Sequence, residues 1–190
     1  MEWRELLACI GRDWRPAIGD PHLMGWVTVA CFIGTALLAL LVLRRGPQMR
    51  RRVAGFWAVL AGILLFLALN KQLDLQSAMT AAGRCIAIAE GWYSDRRRVQ
   101  VAVILGICAA GLVLVALGFA ALRQDLRRNA LAVAGLALVV SFVLVRAVGF
   151  HGVDALIGMS VANIRLNWLL ELSGLVLIAA NAVVLLKVRR

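Results

Sequence analysis

The sequence predicts an all-α fold: a polytopic membrane helix bundle of five transmembrane helices with two interfacial amphipathic helices. Three observations predict it. Of 190 residues, 63% are hydrophobic and the mean hydropathy is +0.88, against roughly 45–50% apolar content in soluble domains. Five apolar runs, at 23–43, 53–69, 101–122, 130–150 and 168–186, reach the roughly 17–25 residues that a helix needs to cross a hydrocarbon core of about 30 Å. Uninterrupted runs of that length satisfy their backbone hydrogen bonds in lipid only as helices. The cationic residues, finally, gather in the short links between the runs and not along one soluble face.

The elements follow in order. Over residues 2–14, Trp3, Leu6, Leu7, Ile10 and Trp14 share one helical face while Glu2, Glu5, Arg12 and Asp13 point elsewhere, the form of an interfacial helix with Trp at headgroup depth. Before the first span, Asp20 is a candidate N-cap and Pro21 a first helical residue. The span is too long for a signal-peptide core, and no net positive charge precedes it, so it is expected to be a retained helix. Residues 76–91 carry a second stripe, Met79, Ala82, Ile86 and Ala89, opposite Ser77, Thr80 and Arg84. This segment is too short and too polar to span. Small residues four apart, such as Ala58 with Gly62 and Gly106 with Ala110, would permit close helix approach. No repeat or linker divides the chain, so residues 1–190 are expected to form one membrane domain.

Charge sets an expected topology. "RRGPQMRRR" (44–52) holds five arginines, "RQDLRRN" (123–129) three, and the tail "KVRR" three further Lys and Arg. With five spans these links share one side, which predicts the N-terminus outside and the C-terminus in the cytoplasm. The opposite side has ten Lys and Arg beside nine carboxylates, a balance near +1. The run Arg96 to Arg98 argues the other way. The net charge of +11 therefore reads as topology and not as a nucleic-acid footprint. Four cysteines show no CxxC spacing, and Cys31 and Cys108 lie inside apolar runs. A structural disulfide is not expected, although Cys9 and Cys85 share a side and could bridge in an oxidising compartment.

The outer helix ends carry the chemistry: "LNKQLDLQ", "EGWYSDRRRVQ", "RAVGFHGVD" and "IRLNWLLELSG". Helical spacing puts Asn70, Lys71 and Asp74 on one face, and His151 and Asp154 are three apart. Arg146 and Glu171 lie about a turn inside their spans, where a charge must face protein or water, and they are the expected pair. Candidate catalytic residues are His151, Asp154 and Arg146. Candidate ligand-binding residues are Asn70, Lys71, Asp74, Arg96, Arg97, Glu171 and Asn167. No motif fixes a metal or cofactor, and none is expected.

"VRAVGFHGVDALIG" resembles the last motif of lipid phosphatases of the phosphatidic acid phosphatase superfamily. The resemblance implies that Arg146 binds phosphate and that His151, paired with Asp154, attacks phosphorus. Each gap is one residue shorter than in that family, and its two other motifs, with the second histidine, are absent. From Phe56 to Asn181 the pattern "LNKQLDLQ", "GWYSDRRRVQ", "FHGVDALIG" and "RLNWLLEL" resembles a group of small, uncharacterised bacterial inner-membrane proteins. That likeness implies location and no activity; the group has a second histidine where Gly152 stands here. The expected function is thus non-catalytic: an accessory or assembly subunit, or a binding module with a polar site at the outer leaflet. The alternative is a membrane-embedded hydrolase or phosphatase of lipid-linked substrates. Expected partners are the anionic headgroups of membrane lipids and a membrane protein, with no nucleic acid.

Overall fold

A computed structural model describes residues 3–15, 18, 21–46, 49–148, 160–161 and 164–187; the side chains at 76, 145–148, 160–161 and 164–170 lie outside this description. Among the described residues there are seven α-helices: α1 (Trp3–Asp13), α2 (Leu23–Arg45), α3 (Arg51–Leu73), α4 (Leu75–Ala89), α5 (Arg96–Leu122), α6 (Leu126–Val148) and α7 (Leu166–Lys187). A 3₁₀ turn, Tyr93–Asp95, leads into α5, and a two-residue antiparallel pairing of Ser160–Val161 with Ile164–Arg165 precedes α7. Four helical stretches are long and apolar enough to cross a membrane: Leu23–Arg45, Arg51–Leu73, Tyr93–Leu122 and Leu126–Leu144. The 22 residues of α7 extend about 33 Å at the helical rise of about 1.5 Å per residue.

The helices outrun the apolar segments that announce them. Helix α3 continues past Leu69 through Asn70, Lys71 and Gln72; Lys and Gln are good helix formers, and a single Asn costs a helix less than about 1 kcal/mol. Helix α2 differs from expectation at its start. His22 is its N-cap and its carbonyl accepts the amides of Gly25 and Trp26, so Pro21 precedes the helix. Asp20 lies outside the described residues.

Five helices close a ring. Helix α2 packs on α3 and α7, α7 on α6, α6 on α5, and α5 returns to α3, where Phe56 lies against Gly118. Each inward face is a stripe at helical spacing: Thr28, Phe32, Thr35 and Ala39 on α2; Val53, Trp57, Leu60, Leu64 and Ala68 on α3; Glu171, Leu175, Ile178 and Ala182 on α7. The tightest contact joins α6 to α7. A Cβ on Gly135 would stand 2.5 Å from the Gly174 carbonyl oxygen, and one on Gly174 2.9 Å from that of Gly135, so only glycine admits this approach. Gly62 and Gly106, expected to serve this purpose, have open space where a Cβ would be. Helix α5 buries only Gly118 and Leu122. Its exposed Leu105, Leu112, Leu117 and Phe119 suit hydrocarbon.

The two amphipathic helices find each other, against the expectation that no structural disulfide forms. Cys9 of α1 and Cys85 of α4 are bonded, with their Cα atoms 6.1 Å apart, and Arg84 pairs with Asp13 at 3.3 Å. The bridge turns α4 from the predicted face: Ala81, Cys85 and Ala87 are buried while Met79 and Ile88 are exposed. Stripe counting treats Cys85 as neutral, whereas a disulfide fixes which side of the helix faces inward.

Candidate functional site

The end of the ring where α2 begins and α3 finishes has a polar interior. Lys71 and Gln72 stand three and four residues beyond Ala68, so both continue the inward stripe of α3. Glu171 begins the inward stripe of α7. Lys71 Nζ donates to Glu171 Oε2 at 2.7 Å, with side chains 8% and 4% exposed. At that distance and an effective dielectric of about 20 the attraction is about 6 kcal/mol before desolvation, and desolvating two ions offsets most of it. The pair therefore adds little net stability, yet it fixes α3 against α7, because losing either partner strands a buried charge. Glu171 was expected to meet Arg146; its partner here is Lys71, and the Arg146 side chain lies outside the described residues.

Gln72 is the residue that the sequence reading missed. Both its Oε1 and its Nε2 are buried and have no hydrogen-bond partner among the described residues. A carboxamide carries two donors and two acceptor lone pairs, and leaving such a group buried and unpaired costs about 1–3 kcal/mol. The signal was present in the α3 stripe, whose extrapolation beyond Ala68 lands on Lys71 and Gln72 together.

The remaining candidates separate. Asp74 takes a left-handed conformation (φ 45°, ψ 52°) that ends α3 and starts α4, which is a tolerated conformation for Asp. Its carboxylate accepts the Ser77 hydroxyl at 2.6 Å. Asp74 thus leaves the α3 face that it was expected to share with Lys71. Asn70 lies half-buried on the last turn of α3. Arg96 stacks over the Tyr93 ring at 4.5 Å and Arg98 pairs with Asp95 at 3.4 Å, while Arg97 is exposed. These arginines stand on the solvent side of the α5 start and not in the polar interior. The backbones of Arg146 and Asn167 lie in α6 and α7; His151 and Asp154 lie outside the described residues.

The other end of the ring holds a network with every amide used. Asn129 Oδ1 accepts Trp57 Nε1 at 3.0 Å and its Nδ2 donates to the Asp125 carbonyl at 3.0 Å. Asn181 Oδ1 accepts the Ala132 amide at 3.0 Å, and its Nδ2 donates to the Arg128 carbonyl at 2.8 Å. Those two backbone groups form one rung of α6, so the Asn181 carboxamide of α7 bonds both ends of a rung in its neighbour.

These features define a class, a helical membrane protein with a buried ion pair and an unpartnered amide beneath one face. Beyond the class the comparisons add nothing: no family model, no curated protein and no solved structure matches the chain.

Proposed function

We propose that this chain is a bacterial inner-membrane protein of five spans, α7 being the fifth, that works as a non-catalytic accessory binding module at the outer leaflet. One observation carries the reading: the Gln72 carboxamide, buried with both polar atoms unpaired among the described residues, beside a buried pair that leaves no net charge. Its natural occupant is a neutral polar group offering a donor and an acceptor, such as the hydroxyl or amide of an envelope compound. An anion is disfavoured there, since Glu171 already neutralises Lys71. The likeness to small bacterial inner-membrane proteins is part of this proposal.

Two observations support the orientation with the N-terminus outside and the C-terminus cytoplasmic. A disulfide between α1 and α4 suits an oxidising compartment, and the arginine-rich links sit at the opposite ends of the spans. The clasped α1–α4 pair then lies on the outer side, α4 following directly from the end of α3.

The test is purification with native lipids followed by mass spectrometry, for the wild type and for Gln72→Leu. A polar compound retained by the wild type and lost in a folded Q72L variant is the expected result. Equal retention by both sinks the reading. A protein partner that co-purifies with no small compound would make the chain an assembly subunit instead, and phosphate-ester hydrolysis abolished by His151→Asn would make it an enzyme.

A further inference from the structure

We infer that the arginine-rich end of the ring contains a second binding site, selective for a phosphate group. A cleft of about 140 Å³ opens between the start of α3, the turn from α5 to α6 and the end of α7. A cavity of about 150 Å³ holds a molecule the size of benzene, so the space suffices for a phosphate. Arg50 and Arg128 line it with Asp125 and the buried Asn129; Val53 and Leu185 form an apolar wall. A smaller cleft shares Arg50 and Asp125 and adds Arg52, Arg123 and Gln124.

The charges around this cleft are unspent. Among the described residues none of Arg50, Arg52, Arg123 and Arg128 forms an ion pair; Arg50 donates to the Gln124 side-chain oxygen, a neutral acceptor. Among the described lining residues Asp125 is the one carboxylate, against four guanidinium groups. Two helices also begin here, and neither has an acidic residue in its first turn. Arg50 stands as the N-cap of α3 without a side-chain capping bond. Helix starts favour anions and disfavour arginine; Asp125, directly before Leu126, relieves the start of α6, whereas the start of α3 carries Arg50, Arg51 and Arg52 and adds to the positive potential. The topology rule explains arginines on this side of the membrane. It does not explain why they rim a cleft between two helix starts.

A phosphate in the cleft would take forked hydrogen bonds from Arg50 and Arg128, the geometry in which guanidinium exceeds ammonium. Asn129 holds the floor, its own amide committed to Trp57 and Asp125. The phosphate belongs to an anionic phospholipid, whose chain would run along Val53 and Leu185, or to a soluble phosphate. The inference rests on no part of the outer-face reading.

The experiment compares the full-length wild type with R50Q/R128Q and with R51Q/R127Q. The second pair removes the same charge from the same links without touching either cleft lining. Retention of phosphatidylglycerol over phosphatidylcholine is read by native mass spectrometry from mixed vesicles of the two, and inorganic phosphate binding by calorimetry. The expected result is at least a tenfold preference for phosphatidylglycerol in the wild type and R51Q/R127Q, lost in R50Q/R128Q at unchanged thermal stability. Binding of inorganic phosphate with the same arginine dependence, and no lipid preference, assigns the site to a soluble phosphate. Equal losses in the two variants, or no preference and no phosphate binding by the wild type, overturn the inference. R50K/R128K guards against misfolding, since it keeps the charge and loses the forks; wild-type affinity in that variant also overturns it.

Discussion

Removing Lys71 alone should unfold more than removing Lys71 and Glu171 together. In Lys71→Met the Glu171 carboxylate, 4% exposed, keeps its burial and loses its counter-ion, a change that costs about 3–5 kcal/mol. For a chain of this size each kcal/mol moves the melting temperature about 2–4 °C, so the fall should be about 6–20 °C. The double variant K71M/E171L removes both desolvation costs together with the attraction. It should return to within about 1–2 kcal/mol of the wild type, as replaced buried pairs do. Tryptophan fluorescence during thermal unfolding in one detergent measures all four corners of the cycle. The reasoning fails if K71M costs less than about 1 kcal/mol, or if the double variant loses the sum of the two single losses, since either result means that the two groups do not hold each other.

Other variants test the packing. Gly135→Ala and Gly174→Ala should each destabilise by about 1–3 kcal/mol, because the added methyl meets a backbone oxygen at 2.5 Å or 2.9 Å; Gly62→Ala and Gly106→Ala should be neutral in the same melts. Asn181→Leu takes the second partner from the Ala132 amide and the Arg128 carbonyl, which keep each other, so hydrogen exchange at Ala132 should accelerate with a loss of about 0.5–1.5 kcal/mol. Cys9→Ser with Cys85→Ser opens a link across a sequence separation of 76, and the chain-entropy relation gives a loss of about 4.5 kcal/mol. The intact wild type should weigh two hydrogens less than its reduced form, and an unchanged mass on reduction would remove the bridge.

Hydropathy made the helices legible because lipid leaves the backbone few alternatives, and the span centres agree with α2, α3, α5 and α6. Their ends were less legible. Lys71 and Gln72 interrupt the apolar run without interrupting the helix, since hydropathy reads side chains whereas helix continuity depends on backbone bonding and propensity. Partner choice was illegible for a different reason. Spacing shows which residues share a helix face, and Asn70, Lys71 and Asp74 satisfied that test until the left-handed backbone at Asp74 turned the chain. Whether Glu171 meets Lys71 or Arg146 depends on which helix lies beside α7, and no periodicity within one helix encodes its neighbour. The Cys9–Cys85 bridge is of the same kind, a contact across 76 positions between helices that each look self-sufficient.

The two ends of the ring treat buried amides in opposite ways, and that contrast underlies the proposed binding role. At the arginine-rich end Asn129 and Asn181 each use oxygen and nitrogen, on Trp57 and the Asp125 carbonyl and on the two ends of one α6 rung. These bonds hold helices in register, although each carboxamide keeps one N–H and one lone pair beyond them; the proposed recognition at that end falls to the guanidinium groups on its rim. At the α1–α4 end Gln72 uses neither atom. A bundle that pairs both polar atoms of two buried amides at one end has the means to do so at the other, where one apolar residue in place of Gln72 would remove the cost. Its place beside a pair that already fixes register is the observation from which the proposed binding role is argued.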